Sequence, residues 1–163
     1  MGQQTLLAIR DLLDTAAVDY DEARHEPVRT AEEAAAARGC PVEIGAKSIV
    51  LKTDDLFRLF VLSGGAALRS RLIRKHLGVR RTRFASAEEL EALTGLRPGA
   101  VPPFGRPILP LELYVDPGLL VHGQIAFTPG VHTVSIIMSS ADYRRLAKPE
   151  IFPFSRSPGE SAQ

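Results

Sequence analysis

Apolar residues recur at helical spacing from the start of the chain. Leu6, Leu7, Ile9, Leu12, Leu13 and Ala16 fall on one face, which predicts an amphipathic helix over residues 4–17. Residues 18–25 lose that period and read as extended, with Tyr20 offering an apolar ring and a polar tip. Thr30 opens a second helix: its hydroxyl is placed to accept from the backbone N–H three positions on, while Glu33 at that position reaches back, the reciprocal capping box. Gly39 is the residue type best suited to the left-handed end of such a helix, and Pro41 starts a connector. Ala46–Lys52 and Leu56–Ser63 are short apolar runs separated by Thr53, Asp54 and Asp55, so they predict a hairpin.

Beyond the hairpin, Gly64 and Gly65 break the pattern. Leu68, Leu72, Ile73 and Leu77 mark one face of a third helix, which Gly78 ends. A strand over 79–84 follows, and Ser86 with Glu89 repeats the capping-box spacing before a helix that stops near Thr94. Residues 95–107 hold three glycines and four prolines and form neither helix nor interior strand. The remainder is strand-rich: Leu109–Val115, Gln124–Phe127 and Thr133–Met138, with a turn over 128–132 and a last helix capped by Ser139 or Ser140 that runs through Leu146. Strands interleaved with short helices, too few for regular crossovers, predict the α+β class: one compact domain with a mixed β-sheet and short flanking helices. The domain is expected over residues 1–150, and the Pro-, Ser- and Gly-rich residues 151–163 are read as a flexible tail.

Composition narrows the setting. No apolar run approaches the roughly 20 residues of a spanning helix, and no basic stretch precedes an apolar block at the N-terminus, so a cytoplasmic protein without a membrane role is expected. The single Cys40 excludes an internal disulfide and a multi-cysteine zinc site; no metal and no cofactor is expected. Charge is divided unevenly. Residues 1–45 carry nine acidic residues against four basic ones, whereas residues 46–83 carry ten basic against two acidic. Arg69, Arg71, Arg74 and Lys75, with Arg80, Arg81 and Arg83 close behind, read either as an anion-binding face, nucleic acid first, or as a solvated helix face.

Three features carry candidate chemistry. Lys47 enters a strand core where the flanking pattern predicts burial, and a buried ammonium costs free energy unless it is paired; the commoner fate of such a lysine is to snorkel out to water. The glycines of the 95–107 loop let backbone N–H groups approach an anion or a carbonyl oxygen, although a structural connector has the same composition. His132 follows a glycine turn, where a plain surface role competes with a functional one.

Taken together, Tyr20, His25-Glu-Pro-Val, Thr30-Ala-Glu-Glu-Ala-Ala, Gly39, Ala46-Lys47-Ser48, the run Gly95 to Gly105 and Gly130-Val-His132 resemble the YbaK and prolyl-tRNA synthetase editing-domain family of aminoacyl-tRNA deacylases over about residues 18–147. The resemblance implies a YbaK-like mixed-sheet fold and hydrolysis of the ester between a wrong amino acid and the terminal ribose of tRNA. A chain of this length would be the free-standing form, with mischarged tRNA, above all tRNA-Pro carrying a wrong small amino acid, as substrate and a prolyl-tRNA synthetase as a candidate partner. Lys47 matches the essential lysine of the family. Tyr20, His25, Ser48, Gly99, Gly105 and His132 would contact the substrate, and Arg69, Arg71, Arg74 and Lys75 would meet the tRNA backbone. A non-catalytic tRNA-binding or regulatory module of the same fold, and a hydrolase of some other activated ester, are the alternatives.

Overall fold

The computed structural model describes residues 1–157. Helix α1 (Gly2–Thr15) leads into strand β1 (Tyr20–Arg24) and helix α2 (Ala31–Arg38). A single 3-10 turn at Val42–Ile44 then delivers the chain to the hairpin of β2 (Ala46–Thr53) and β3 (Leu56–Ser63). The hairpin turn is tighter than expected. Thr53 pairs with Leu56 inside the ladder, leaving Asp54 and Asp55 alone at the tip, and Asp54 takes the left-handed conformation that aspartate tolerates. There follow β4 (Ala67–Leu68), α3 (Ser70–Leu77), β5 (Thr82–Phe84), α4 (Ala87–Thr94), β6 (Leu113–Val115), α5 (Pro117–Leu120), β7 (Gln124–Phe127), β8 (Val134–Ser139), α6 (Ser140–Ala147), β9 (Glu150–Ile151) and β10 (Ser155–Arg156). No helix among the described residues is long and apolar enough to cross a membrane.

The main sheet runs β5-β2-β3-β6-β9, with β2 antiparallel to both its neighbours and β6 parallel to β3 and β9, so the sheet is mixed. β3 lies at its centre and is buried on both sides, which is why its sequence reads as a continuous apolar run. Leu59 and Val61 point into the larger core, built with Ile9, Leu13, Phe104, Phe127 and Tyr143, while Phe60 and Leu62 point into a second core with Leu51, Ile73, Tyr114, Phe152 and Phe154. A three-stranded antiparallel sheet, β1-β8-β7, closes over the first core. Where the two sheets meet, Gly45 bridges in parallel to Ala126.

Both capping boxes form as the spacing predicted: Thr30 Oγ1 accepts from Glu33 N at 3.1 Å, Ser86 Oγ accepts from Glu89 N at 3.1 Å, and each glutamate reaches back to its cap residue. Three expectations need correction. The strand expected over 109–115 is confined to Leu113–Val115, because the Leu109 and Leu111 N–H groups turn back to the Gly105 and Leu109 carbonyls. Helix α5 was not anticipated; the Asp116 carboxylate caps it by accepting from Gly118 N at 2.9 Å. The domain does not end at residue 150. β9 and β10 extend it to Arg156, Phe152 and Phe154 fill the second core, and Asp116 Oδ1 accepts from Phe154 N at 2.7 Å and Ser155 N at 3.0 Å. The rest of the expected tail, residues 158–163, lies outside the described residues.

Candidate functional site

One side of α2 from Ala31 to Arg38, the residues that lead into it, the Gly45 connector and the first residues of β2 enclose a cleft of about 220 Å³. Lys47 and Ser48 both line it. Because consecutive strand residues point to opposite faces, Lys47 shares its side with Ile49 and Leu51 of the second core, and Ser48 shares its side with Val50 of the first. Lys47 is half-buried, and its Nζ donates to the Ala66 carbonyl at 2.6 Å. An ammonium carries three donors, so two remain without a partner among the described residues. Burial pushes the Lys47 pKa below the ordinary lysine value, opposed by the nearby charge of Glu32. Ser48 Oγ is buried and has no hydrogen-bond partner among the described residues.

A third polar group of the cleft escaped the sequence reading. Arg38, the last residue of α2, also lines it. Its Nε donates to Ser135 Oγ at 2.7 Å and its Nη2 donates to Thr128 Oγ1 at 3.2 Å, and no carboxylate among the described residues pairs with it. Burial of this uncompensated guanidinium pushes its pKa down to about 10, which leaves it charged at neutral pH. Nothing in the sequence marks Arg38, since a basic residue in the last turn of a helix is ordinary.

Of the other expected site residues, Gly99 lines the cleft. It has φ +85°, and a Cβ there would stand 3.4 Å from His132 Nε2 and 3.5 Å from the Arg29 carbonyl. His132 lies behind it at the rim, with Nε2 meeting the Pro98 carbonyl at 3.0 Å, so that ring nitrogen carries the proton and pins the loop. His25 is outside the cleft but joined to it. Its Nδ1 meets the Glu26 carbonyl and its Nε2 meets Ser135 Oγ, both at 2.8 Å. A carbonyl only accepts, so Nδ1 carries a proton; in the neutral ring Nε2 then accepts from the Ser135 hydroxyl, whose oxygen accepts from Arg38.

Tyr20 and Gly105 do not line this cleft. The Tyr20 hydroxyl donates to Asp14 Oδ1 at 2.9 Å and its ring rests against the main core. Gly105 borders a different depression, beside Arg106 and Lys148, and a Cβ there would lie 2.5 Å from the Leu111 carbonyl, so the glycine serves a close backbone approach.

The basic segment is also elsewhere. Arg74 shares a broad depression at the hairpin tip with Lys52, Arg80, Arg81 and Arg83, at the far end of β2 from Lys47 and roughly 20 Å away by strand rise. Arg69 precedes α3 and its N–H donates to the Phe154 carbonyl, Arg71 is exposed, and Lys75 lies beside Phe152 at the second core's edge. Arg83 is tied bidentately to Glu89, whereas Arg80 and Arg81 are fixed through their backbone N–H groups by Asp54 and leave their side chains exposed. Among the described residues no group of three His, Cys, Asp or Glu side chains is placed to hold a metal ion.

The aminoacyl-tRNA editing domain model matches residues 25–146, which takes in every residue of this cleft. The chain belongs to the aminoacyl-tRNA editing domain family. Over 162 residues, 96% of each chain, it is 34% identical to the multifunctional Ser/Thr-tRNA deacylase ProXp-y of Escherichia coli K12. It is 35% identical over 88 residues to a proline–tRNA ligase of Shouchella clausii, matching 54% of this chain and 15% of that one. A crystal structure described as that of a candidate trans-editing enzyme for prolyl-tRNA synthetase superposes with a TM-score of 0.80 at 25% identity, covering 94% of this chain and 98% of that one. As a member of the editing-domain family, the chain is by class a hydrolase of aminoacyl-tRNA esters.

The loop that carries Gly99 can be tested directly. Gly99→Val places a β-branched residue in a left-handed conformation that costs about 1–2 kcal/mol, and pushes its side chain toward His132. Thermal unfolding should register that cost, and turnover should fall further than stability does. An unchanged rate would return residues 95–105 to a purely structural role.

Proposed function

We propose that this member is a trans-editing deacylase that works in the cytoplasm on mischarged tRNA, with tRNA-Pro bearing serine or threonine as its substrate. The observation that carries the reading is the cleft itself: a half-buried lysine, a serine with a partnerless hydroxyl and an arginine without a counter-ion among the described residues line one small cavity. Such a cleft favours negative charge at the moment it develops. An aminoacyl ester is already activated, so the enzyme's main tasks are to place it, deliver water and stabilise the oxyanion. Water adds to the ester carbonyl, the carbonyl oxygen becomes the oxyanion, and the bond to the ribose oxygen breaks as that oxygen takes up a proton. Lys47 supplies the fixed positive charge. Among the described residues no histidine or aspartate lines the cleft, and the reading has a ribose hydroxyl of the substrate assist the water.

The test is a panel of tRNA-Pro charged with serine, threonine, alanine or proline, scored for free amino acid. Release of serine and threonine with sparing of proline is expected; release of none would sink the reading. Docking of the acceptor stem is assigned to Arg69, Arg71, Arg74 and Lys75, extended by Arg80 and Arg81, which share a depression with Arg74. Alanine at the first four should weaken tRNA binding across sequences, and should reduce the log–log salt slope by roughly 0.7–0.9 for each phosphate no longer neutralised. An unchanged slope in that variant, with a reduced one for Arg80→Ala/Arg81→Ala, would move the docking face to the hairpin tip.

A further inference from the structure

We propose that Arg38 is the specificity-determining residue of this cleft: its unengaged Nη1, together with Ser48 Oγ, reads a hydroxyl on the side chain of the aminoacyl group. The proposal rests on the editing reading above and goes further, to the atoms that choose the substrate.

The guanidinium is held from behind. Nε is taken by Ser135 and Nη2 by Thr128, and Ser135 is itself oriented by His25. Nη1 has no partner among the described residues and lies toward Gly45, 3.4 Å from where a Cβ on that glycine would stand; Gly45 also lines the cleft. An arginine that grips a phosphate or carboxylate presents two nitrogens in parallel. Here the Nε–Nη2 fork is closed by protein hydroxyls, and of the five donors three remain, two on Nη1 and one on Nη2; the proposal assigns one on Nη1 to the ligand hydroxyl. Ser48 Oγ, on the strand facing α2, both donates and accepts. A ligand hydroxyl satisfies the two together, accepting from Nη1 and donating to Ser48.

Ala31, Ala34 and Val101 leave room for a short side chain in a lining that also holds Arg29, Thr30 and Thr128. An alanyl group, or the proline ring of the correct ester, brings no hydroxyl. It would dehydrate Nη1 without pairing it and would leave the buried Ser48 Oγ without a partner, and a site built this way rejects the analogue more strongly than an apolar pocket discriminates by size. The same polar floor that accepts serine would therefore protect the correctly charged tRNA.

The experiment compares kcat/KM on seryl- and alanyl-esters of one tRNA for the wild type, Arg38→Met and Ser48→Ala. Arg38→Met should lower the seryl-to-alanyl ratio by about 10- to 100-fold, and Ser48→Ala should lower it in the same direction by less. Equal loss on both esters would overturn the proposal, since it would mean that Arg38 holds the ribose-phosphate or the shape of the cleft; an unchanged ratio would overturn it too. Should Arg38→Met fail to fold, the ratios for Ser48→Ala and Arg38→Lys decide. Binding of 3′-serylamino- and 3′-alanylamino-3′-deoxyadenosine, which cannot be hydrolysed, gives an independent readout. A wild-type protein that cleaves neither ester would refute the deacylase reading, while the Kd ratio of these two compounds, and its loss in Arg38→Met, would still judge the arginine.

Discussion

Replacing Lys47 by Ala should lower deacylation by about 10²–10³-fold, the cost of removing one preorganised group that stabilises an oxyanion. The fold should survive. Lys47 contributes a single hydrogen bond to the Ala66 carbonyl from a half-buried position, a loss worth about 0.5–1.5 kcal/mol. Lys47→Arg should not rescue turnover, because a planar guanidinium cannot occupy the position of a compact ammonium. The pH profile supplies a separate check. Burial disfavours the charged form, so Lys47 loses its proton at a lower pH than an ordinary lysine, and activity that depends on the ammonium should decline on the alkaline side before that ordinary value is reached. A folded Lys47→Ala variant with nearly wild-type turnover would remove the lysine from the mechanism.

The readability of the site in the sequence followed the distance over which each residue acts. Lys47, Ser48 and Gly99 stand in the stretches that carried the family resemblance, and all three line the cleft. Tyr20 and Gly105 stand in the same stretches, but the fold spends them on the core and on a close backbone approach. His25 reaches the cleft only through Ser135, a residue 110 positions away, and such a link has no signature along the chain. Arg38 was invisible for the same reason. What distinguishes it is the absence of a carboxylate and the presence of two hydroxyls from β7's end and β8, and only tertiary structure brings those together. The basic run read as one patch, yet it is spread over two depressions. Arg74 lies in one, where its Nη1 donates to Thr82 Oγ1 at 3.4 Å, and Lys75 lies in the other.

Elements fixed by contacts three or four residues apart were legible, as the two capping boxes and the hairpin show; the C-terminal segment was not. Its composition of Pro, Ser and Gly suggested a tail, whereas Phe152 and Phe154 flank Pro153 and both enter the second core. Phe154 is fully buried, edge-on to Phe60 with ring centroids 5.5 Å apart and 5.0 Å from Phe152. Its backbone N–H is held by the buried Asp116. Phe154→Ala should therefore destabilise the protein by about 3–5 kcal/mol, the usual range for emptying a phenylalanine site in a core. Leu7→Ala, at a position 57% exposed on α1, serves as the control and should change stability by less than about 0.5 kcal/mol. Urea unfolding of the two variants makes the comparison. Because Phe154 belongs to the face of the main sheet that also carries Lys47, the loss should reach the cleft, and turnover of Phe154→Ala should fall at temperatures where the wild type is still fully folded. A Phe154→Ala variant as stable as Leu7→Ala would show that the domain can end near residue 150 after all.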